Sequence, residues 1–384
     1  MELKKYNTNC LMPLVMLAVL AVCAPVQAAI TTQDWGATAD DHRPANLYTL
    51  TNAAGMQVRI SNYGGVVVSI HAPGKGGAFA NVVQGFDTLT DYTSEDYIRA
   101  NGHYGAIVGR FANRIKGARL TIDGQSYALD PDKNGDLDQG GVMAYFRQVF
   151  TATIRDGAEP QLILKRTDPD GYMGFPGTVE VTVTYTLTRH NRLRIDYRAT
   201  TDKKTVINLI NHSYFSLSGN PSATIDHETL QLFAHHYTPI DAGSIPTGEI
   251  RDVTGTDFDF TAPAVLGPRL GSSDLQIASK KGIDHNFVID GVPGKLRIAA
   301  RLRDVEAGRQ LEVWTTQPGV QVYTANSVRP QVAHAKGYVP HSAISFQTQH
   351  YPDSPNHPNF PSTELVPGKA FHEVTEFRFS ALDQ

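Results

Sequence analysis

Hydrophobic and polar positions alternate with a period of two over much of this chain. The run Val179-Glu180-Val181-Thr182-Val183-Thr184-Tyr185-Thr186-Leu187-Thr188 does so without a break, which predicts a strand with one buried and one solvated face. Similar runs lie at residues 56–70, 118–129, 193–199, 296–302, 311–315 and 374–379. In "LTIDGQSYAL" the pair Asp123-Gly124 separates two such runs, a hairpin signal because both residue types tolerate positive φ. Residues 273–281 alone read as a modest helix. Strands without intervening helices argue against a parallel α/β sheet and predict an all-β protein, a large antiparallel β-sandwich. Gly and Pro are scattered as turn punctuation, and no linker, repeat or low-complexity stretch appears. Residues 29–384 are therefore expected to form a single domain.

The stretch "ISFQTQHYPDSPNHPNFPST", Ile344 to Thr363, opens as a strand and then meets four prolines. Prolines at this density fit neither a helix nor a central ladder, so an ordered, irregular surface run is expected. Its polar side chains, Gln347, Gln349, His350, Asp353, Asn356 and His357, suit a small hydroxylated ligand.

The N-terminus adds a compartment. Lys4 and Lys5 precede an apolar run over residues 11–26, and Val26-Gln27-Ala28 follows. This is the pattern of a secretory signal peptide over residues 1–28, cut after Ala28, and it predicts export to the periplasm or beyond. Both cysteines, Cys10 and Cys23, fall inside it, so the exported chain would rely on its core rather than on disulfides. The net charge of −4 comes without a basic block or acidic tail, which leaves nucleic-acid and membrane-surface roles without support.

The chain holds 14 histidines. His235 and His236 are adjacent, so in a strand they point to opposite faces and cannot share an ion. No HExxH, CxxC or clustered acidic loop occurs, and no catalytic metal is expected. Without a GxGxxG opening a helix or a P-loop, no nucleotide cofactor is expected either. A GxSxG elbow is also missing.

Five segments are polar where plain sandwich strands would not be. "GAIVGRFANRI" carries Asn113 and Arg114, which also fit a strand end with a surface Arg. "NLINHSYFSLSG" sets His212 among apolar and aromatic residues, where a satisfied core imidazole is the ordinary outcome. Yet Asn, His, Ser and Tyr in succession put polar groups on both faces of the strand, and one face then has to line a cavity. "GIDHNFVI" brings Asp284, which also suits a turn cap. "TTQPGVQVYT" leads Gln317 into a Pro-Gly turn, and the fifth segment is the proline-rich tail with Gln347.

Taken in order, "GRFANRI", "NHSYFSLSG", "PIDAGSIPTGEI", "GIDHNF", "TTQPGVQVYT" and "QTQHYPDSPNHPNFPST" resemble the aldose 1-epimerases, or galactose mutarotases, from about Asp34 to the C-terminus. The resemblance implies a galactose mutarotase-like supersandwich and a cofactor-free acid/base reaction on a free aldose, with a monomer favoured. In that chemistry a base takes the anomeric proton and an acid protonates the ring oxygen. The ring opens to the aldehyde and closes on the other face. By resemblance His212 is the acid, Asp284 grips sugar hydroxyls, and Asn113, Arg114 and Gln317 hydrogen-bond the sugar. Two positions depart from the family pattern. Gln347 stands where the family has its general-base Glu, and Gln139, in Asp138-Gln139-Gly140-Gly141, stands for a substrate-binding His. Both amides can hydrogen-bond a sugar but neither takes a proton near neutral pH. Three readings follow: an epimerase using another base, either Asp284 or His212 acting in both directions through water, an epimerase of altered sugar specificity, and a sugar-binding protein that no longer catalyses.

Overall fold

The computed structural model describes residues 1–2, 27–39, 41–329 and 331–382. The expected signal segment, with Cys10 and Cys23, lies almost wholly outside the described residues.

The alternating runs pair into three large antiparallel sheets. The nine-stranded sheet runs in the spatial order Thr151–Arg155, Gln161–Asp168, Val179–Leu187, Arg192–Thr201, Phe371–Ala381, Arg309–Thr315, Arg297–Asp304, Thr229–Leu232, Ala264–Val265. The five-stranded sheet is a meander from Ala29–Ala37 to Phe79–Asn81. The seven-stranded sheet has Asp284–Val288, Gly319–Tyr323 and Ile344–Gln349 side by side near its middle. One apolar cluster joins all three, taking Val181, Val183 and Tyr185 from the first, Val58 and Ile60 from the second, and Phe287, Val320, Val322 and Phe346 from the third. The architecture is the expected large antiparallel β-sandwich.

Period two explains what the seven-stranded sheet does with its other face. Asp284 pairs with Tyr323, Asn286 with Gln321, Gln321 with Gln347 and Tyr323 with Ser345. Residues two apart share a face, so Asp284, Asn286, Gln321, Tyr323, Ser345, Gln347 and Gln349 stand together, opposite the apolar set. Gln321, Gln347 and Gln349 are nevertheless buried. A buried polar face has to find partners or a ligand.

Several details differ from expectation. The run 56–70 is two strands, Gln57–Ser61 and Val67–Pro73. Between them Gly64 and Gly65 take φ of +62° and +57°, and a Cβ on either would lie 2.5 Å from Phe146 O or 2.2 Å from Ile107 Cδ1. The hairpin forms as expected, Arg119–Ile122 against Gln125–Ala128, with Asp123 and Gly124 at φ 50° and 80°. The modest helix is Leu275–Lys280, capped by Asp274, whose carboxylate accepts from Gln276 N at 2.8 Å. Short helices Leu89–Thr93 and Glu95–Arg99 were not expected. Their start is written in Thr88 and Asp91, a capping box in which each side chain accepts from the other's backbone N–H.

The tail departs most. After Ile344–Gln349 it turns inward, and Tyr351, Asp353 and Ser354 are buried. Asp353 accepts from Lys116 N at 2.9 Å and from Asn356 Nδ2 at 2.6 Å. These polar groups lock the tail onto the strand Arg114–Ile115 instead of facing a ligand. A proline-stiffened chain stays ordered when buried only if side chains replace its missing backbone bonds, and here they do.

Candidate active site

One open cleft sits on the polar face of the seven-stranded sheet. Six of the seven residues singled out in the sequence line it: Asn113, Arg114, Gln139, His212, Asp284 and Gln347. They come from five separate chain segments, brought together by strand pairing.

Each has a local reason for its place. Asn113 and Gln139 both adopt positive φ, 63° and 50°, where the backbone can fold back on itself. They clasp each other: Gln139 N donates to Asn113 O at 2.9 Å, and Asn113 N donates to Gln139 Oε1 at 2.7 Å. Gln139 therefore spends its carbonyl on the backbone and keeps its amide nitrogen for other partners. Gly140 next to it, at φ +88°, would put a Cβ 2.2 Å from Gly109 O. Only glycine closes that turn.

Arg114 lies 3.7 Å from Asp138, and the carboxylates of Asp138 and Asp284 hold its guanidinium charged despite burial. Asp284 accepts from Gln321 Nε2 at 2.8 Å. Gln321 in turn accepts from Gln349, and Gln349 also donates to Asn286, both at 3.4 Å. This amide chain is buried behind the cleft lining and reaches it through the Asp284 carboxylate, which it holds in place. Gln347 is buried, and its Oε1 has no partner.

His212 is buried against Tyr214, ring centroids 4.9 Å apart. Burial first, and then the neighbouring His103, push its pKa down to about 3. The imidazole is therefore neutral at physiological pH.

Gln317 does not belong to this cleft. Its Pro-Gly turn points it into the interior, where its Oε1 accepts from His350 Nδ1 at 2.8 Å and its backbone O from Arg297 at 3.0 Å. It braces the tail. Arg110, a second arginine in the same sequence motif, is also interior and pairs with Asp168 at 2.8 Å. The sequence reading missed His103, Asp138, Tyr214, Tyr323 and Arg329, which also line the cleft. Tyr323 was legible, since period two places it on the face of Gln321. His103 and Arg329 sit in irregular segments, where no periodicity reveals direction.

Comparison with known proteins places the chain in a family and a fold. A family model described as aldose 1-epimerase matches residues 46–378. Galactose mutarotase of Bos taurus is 38% identical over 329 residues, covering 85% of this chain and 91% of the relative. Aldose 1-epimerase of Escherichia coli K12 is 33% identical over 348 residues, covering 90% and 98%. In structure, a galactose 1-epimerase from Lactobacillus acidophilus NCFM superposes with a TM-score of 0.80 at 24% identity, over 93% of this chain and 100% of that one. An aldose epimerase homologue from C. elegans superposes at 0.77 and 25% identity, over 88% and 100%.

Proposed function

The chain belongs to the aldose 1-epimerase family, and from that membership we propose that it interconverts the α and β anomers of a free hexose, with Gln347 in place of the usual base. The observation that carries this reading is the convergence of His212, Asp284, Arg114 and Gln347 on one cleft. Hydrogen-bonding groups on the cleft walls suit a hydroxyl-rich ligand, because a site built for hydroxyls penalises their absence. Asp284, held by Gln321, and Arg114, held by Asp138, orient the sugar. His212 exchanges a proton with the ring oxygen, and a group other than Gln347 takes the anomeric proton. Only protons move, so the cleft needs no cofactor. The leader over residues 1–28 sends the chain out of the cytoplasm, where it meets free sugars.

The expected outcome is that the protein accelerates mutarotation of freshly dissolved α-glucose or α-galactose, followed by polarimetry at micromolar protein. A second reading has its own support: amides at both Gln347 and Gln139, and a His212 that burial keeps neutral, suit a sugar-binding protein. Saturable sugar binding by calorimetry with no change in the polarimetric rate would establish that reading instead.

A further inference from the structure

We propose that His103 is the second proton-carrying group of this site, taking the proton of the anomeric hydroxyl while His212 gives one to the ring oxygen. The inference rests on the epimerase reading above and names the base which that reading leaves open.

The main chain holds the two imidazoles side by side. His212 N donates to Ala106 O at 2.8 Å, and Gly105 N donates to His212 O at 3.0 Å. Asn211 Nδ2 closes the same junction on Gly105 O at 2.8 Å. At Gly105, φ is +73° and a Cβ would fall 2.2 Å from Val67 O, so the backbone passes too close for any other residue. The turn closed by Ala106 N on His103 O, at 3.0 Å, brings the His103 ring back beside His212. Their ring centroids are 5.6 Å apart at 26°. Phe146 stands edge-on to His103 at 4.5 Å, and Tyr214 lies against the far side of His212.

Both rings line the cleft. Nε2 of His103 and Nδ1 of His212 are buried without a partner, which leaves the other nitrogen of each ring for the cleft. A histidine serving only the core normally has its ring N–H satisfied. These two do not. The reaction needs two proton carriers close together, because the anomeric oxygen and the ring oxygen are bonded to the same carbon. Gln347 cannot carry a proton, and Asp284 Oδ1 is engaged by Gln321.

The proton count closes with one proton on the pair. His212 begins as the imidazolium and His103 as the neutral base. The proton of the anomeric hydroxyl passes to His103 as the C1=O bond forms. The C1–O5 bond breaks, and O5 receives the proton of His212. Ring closure on the other face reverses each transfer and restores the pair. Burial, with Arg114 and Arg329, holds His103 down to about 3, while a backbone hydrogen bond at His212 and then the Asp138 carboxylate pull the depressed His212 upward. Asp284 and Tyr214 also face the pair. Two positive charges here repel, so the pair holds at most one proton, and that form grows as pH falls.

The test is polarimetry on the wild type, His103→Gln, Gln347→Glu and the double variant. In the wild type His103→Gln lowers kcat by about 10²-fold or more with KM little changed, and wild-type kcat rises as pH is lowered from 8 to 6. In the Gln347→Glu background the same substitution costs only about threefold or less, because the carboxylate takes the proton. An active wild type indifferent to His103→Gln, or an equal loss in both backgrounds, overturns the proposal while leaving the epimerase reading standing. A wild type without acceleration overturns both. If His103→Gln fails to fold, His103→Asn is judged by the same outcomes.

Discussion

Gln347, its carbonyl unpartnered, lines the same cleft as two neutral imidazoles, His103 and His212. A carboxylate there would serve twice, as a base and as the charge that raises the pKa of a nearby imidazole. Placing one there would supply a positioned base, and such a base is worth about 10²–10⁴ in rate, or roughly 3–5 kcal/mol of barrier. Gln347→Glu is therefore expected to raise the mutarotation rate by about two decades or more in the polarimetric assay. No gain would mean that this position is not at the chemistry. Glu and Gln are close in shape and the cleft already surrounds the side chain, so folding should change little.

At the scale of the element, the three strands Asp284–Val288, Gly319–Tyr323 and Ile344–Gln349 turn one sequence period into two functions. Their apolar residues close the core, and their polar residues form the buried amide chain that ends on Asp284. A hydrogen bond to a charged group contributes about 1.5–3 kcal/mol, so freeing the Asp284 carboxylate has a measurable price in affinity. Gln321→Leu removes the 2.8 Å donor and is expected to weaken sugar binding roughly tenfold or more by calorimetry. An unchanged Kd would show that Asp284 is positioned by something else.

Across the whole molecule, buried neutral histidines tie stability to pH. His103, His212 and His285 are pushed down to about 3 and His350 to about 4, in each case chiefly by burial. Unfolded, each binds a proton near its ordinary pKa of about 6.5. The unfolded chain thus binds more protons as pH falls below that value, and stability declines by about 1.4 kcal/mol per such group per pH unit. Glu228, Asp353 and Glu373, whose carboxyls burial pushes up, act in the opposite sense, while His71, which burial also lowers, adds to the four imidazoles. Urea unfolding should show a protein clearly less stable at pH 5 than at pH 7; equal midpoints would mean that these imidazoles are not held neutral.

At this same scale the sandwich, its hairpin at Asp123-Gly124 and the polar intrusions around Asn113, His212, Asp284 and Gln347 were all legible in the linear sequence. Each is a local signal: a period of two, a turn dipeptide, a polar residue on an apolar strand. Gln317 and the tail were misread for a common reason. A polar side chain in a loop can face solvent, a ligand or a buried partner, and its neighbours in sequence do not choose among these. His350 and Lys116, contributed from elsewhere in the chain, made that choice. His103 went unnoticed because a histidine in a glycine-punctuated turn has no periodicity to give it a direction. By itself, then, the sequence determined which segments become strands and which of their faces are polar, since those follow from short-range sterics and burial. Only the tertiary structure decided which polar groups meet. Partners hundreds of residues apart come within hydrogen-bonding reach through strand register and loop closure, and these are set by the packing of the whole core.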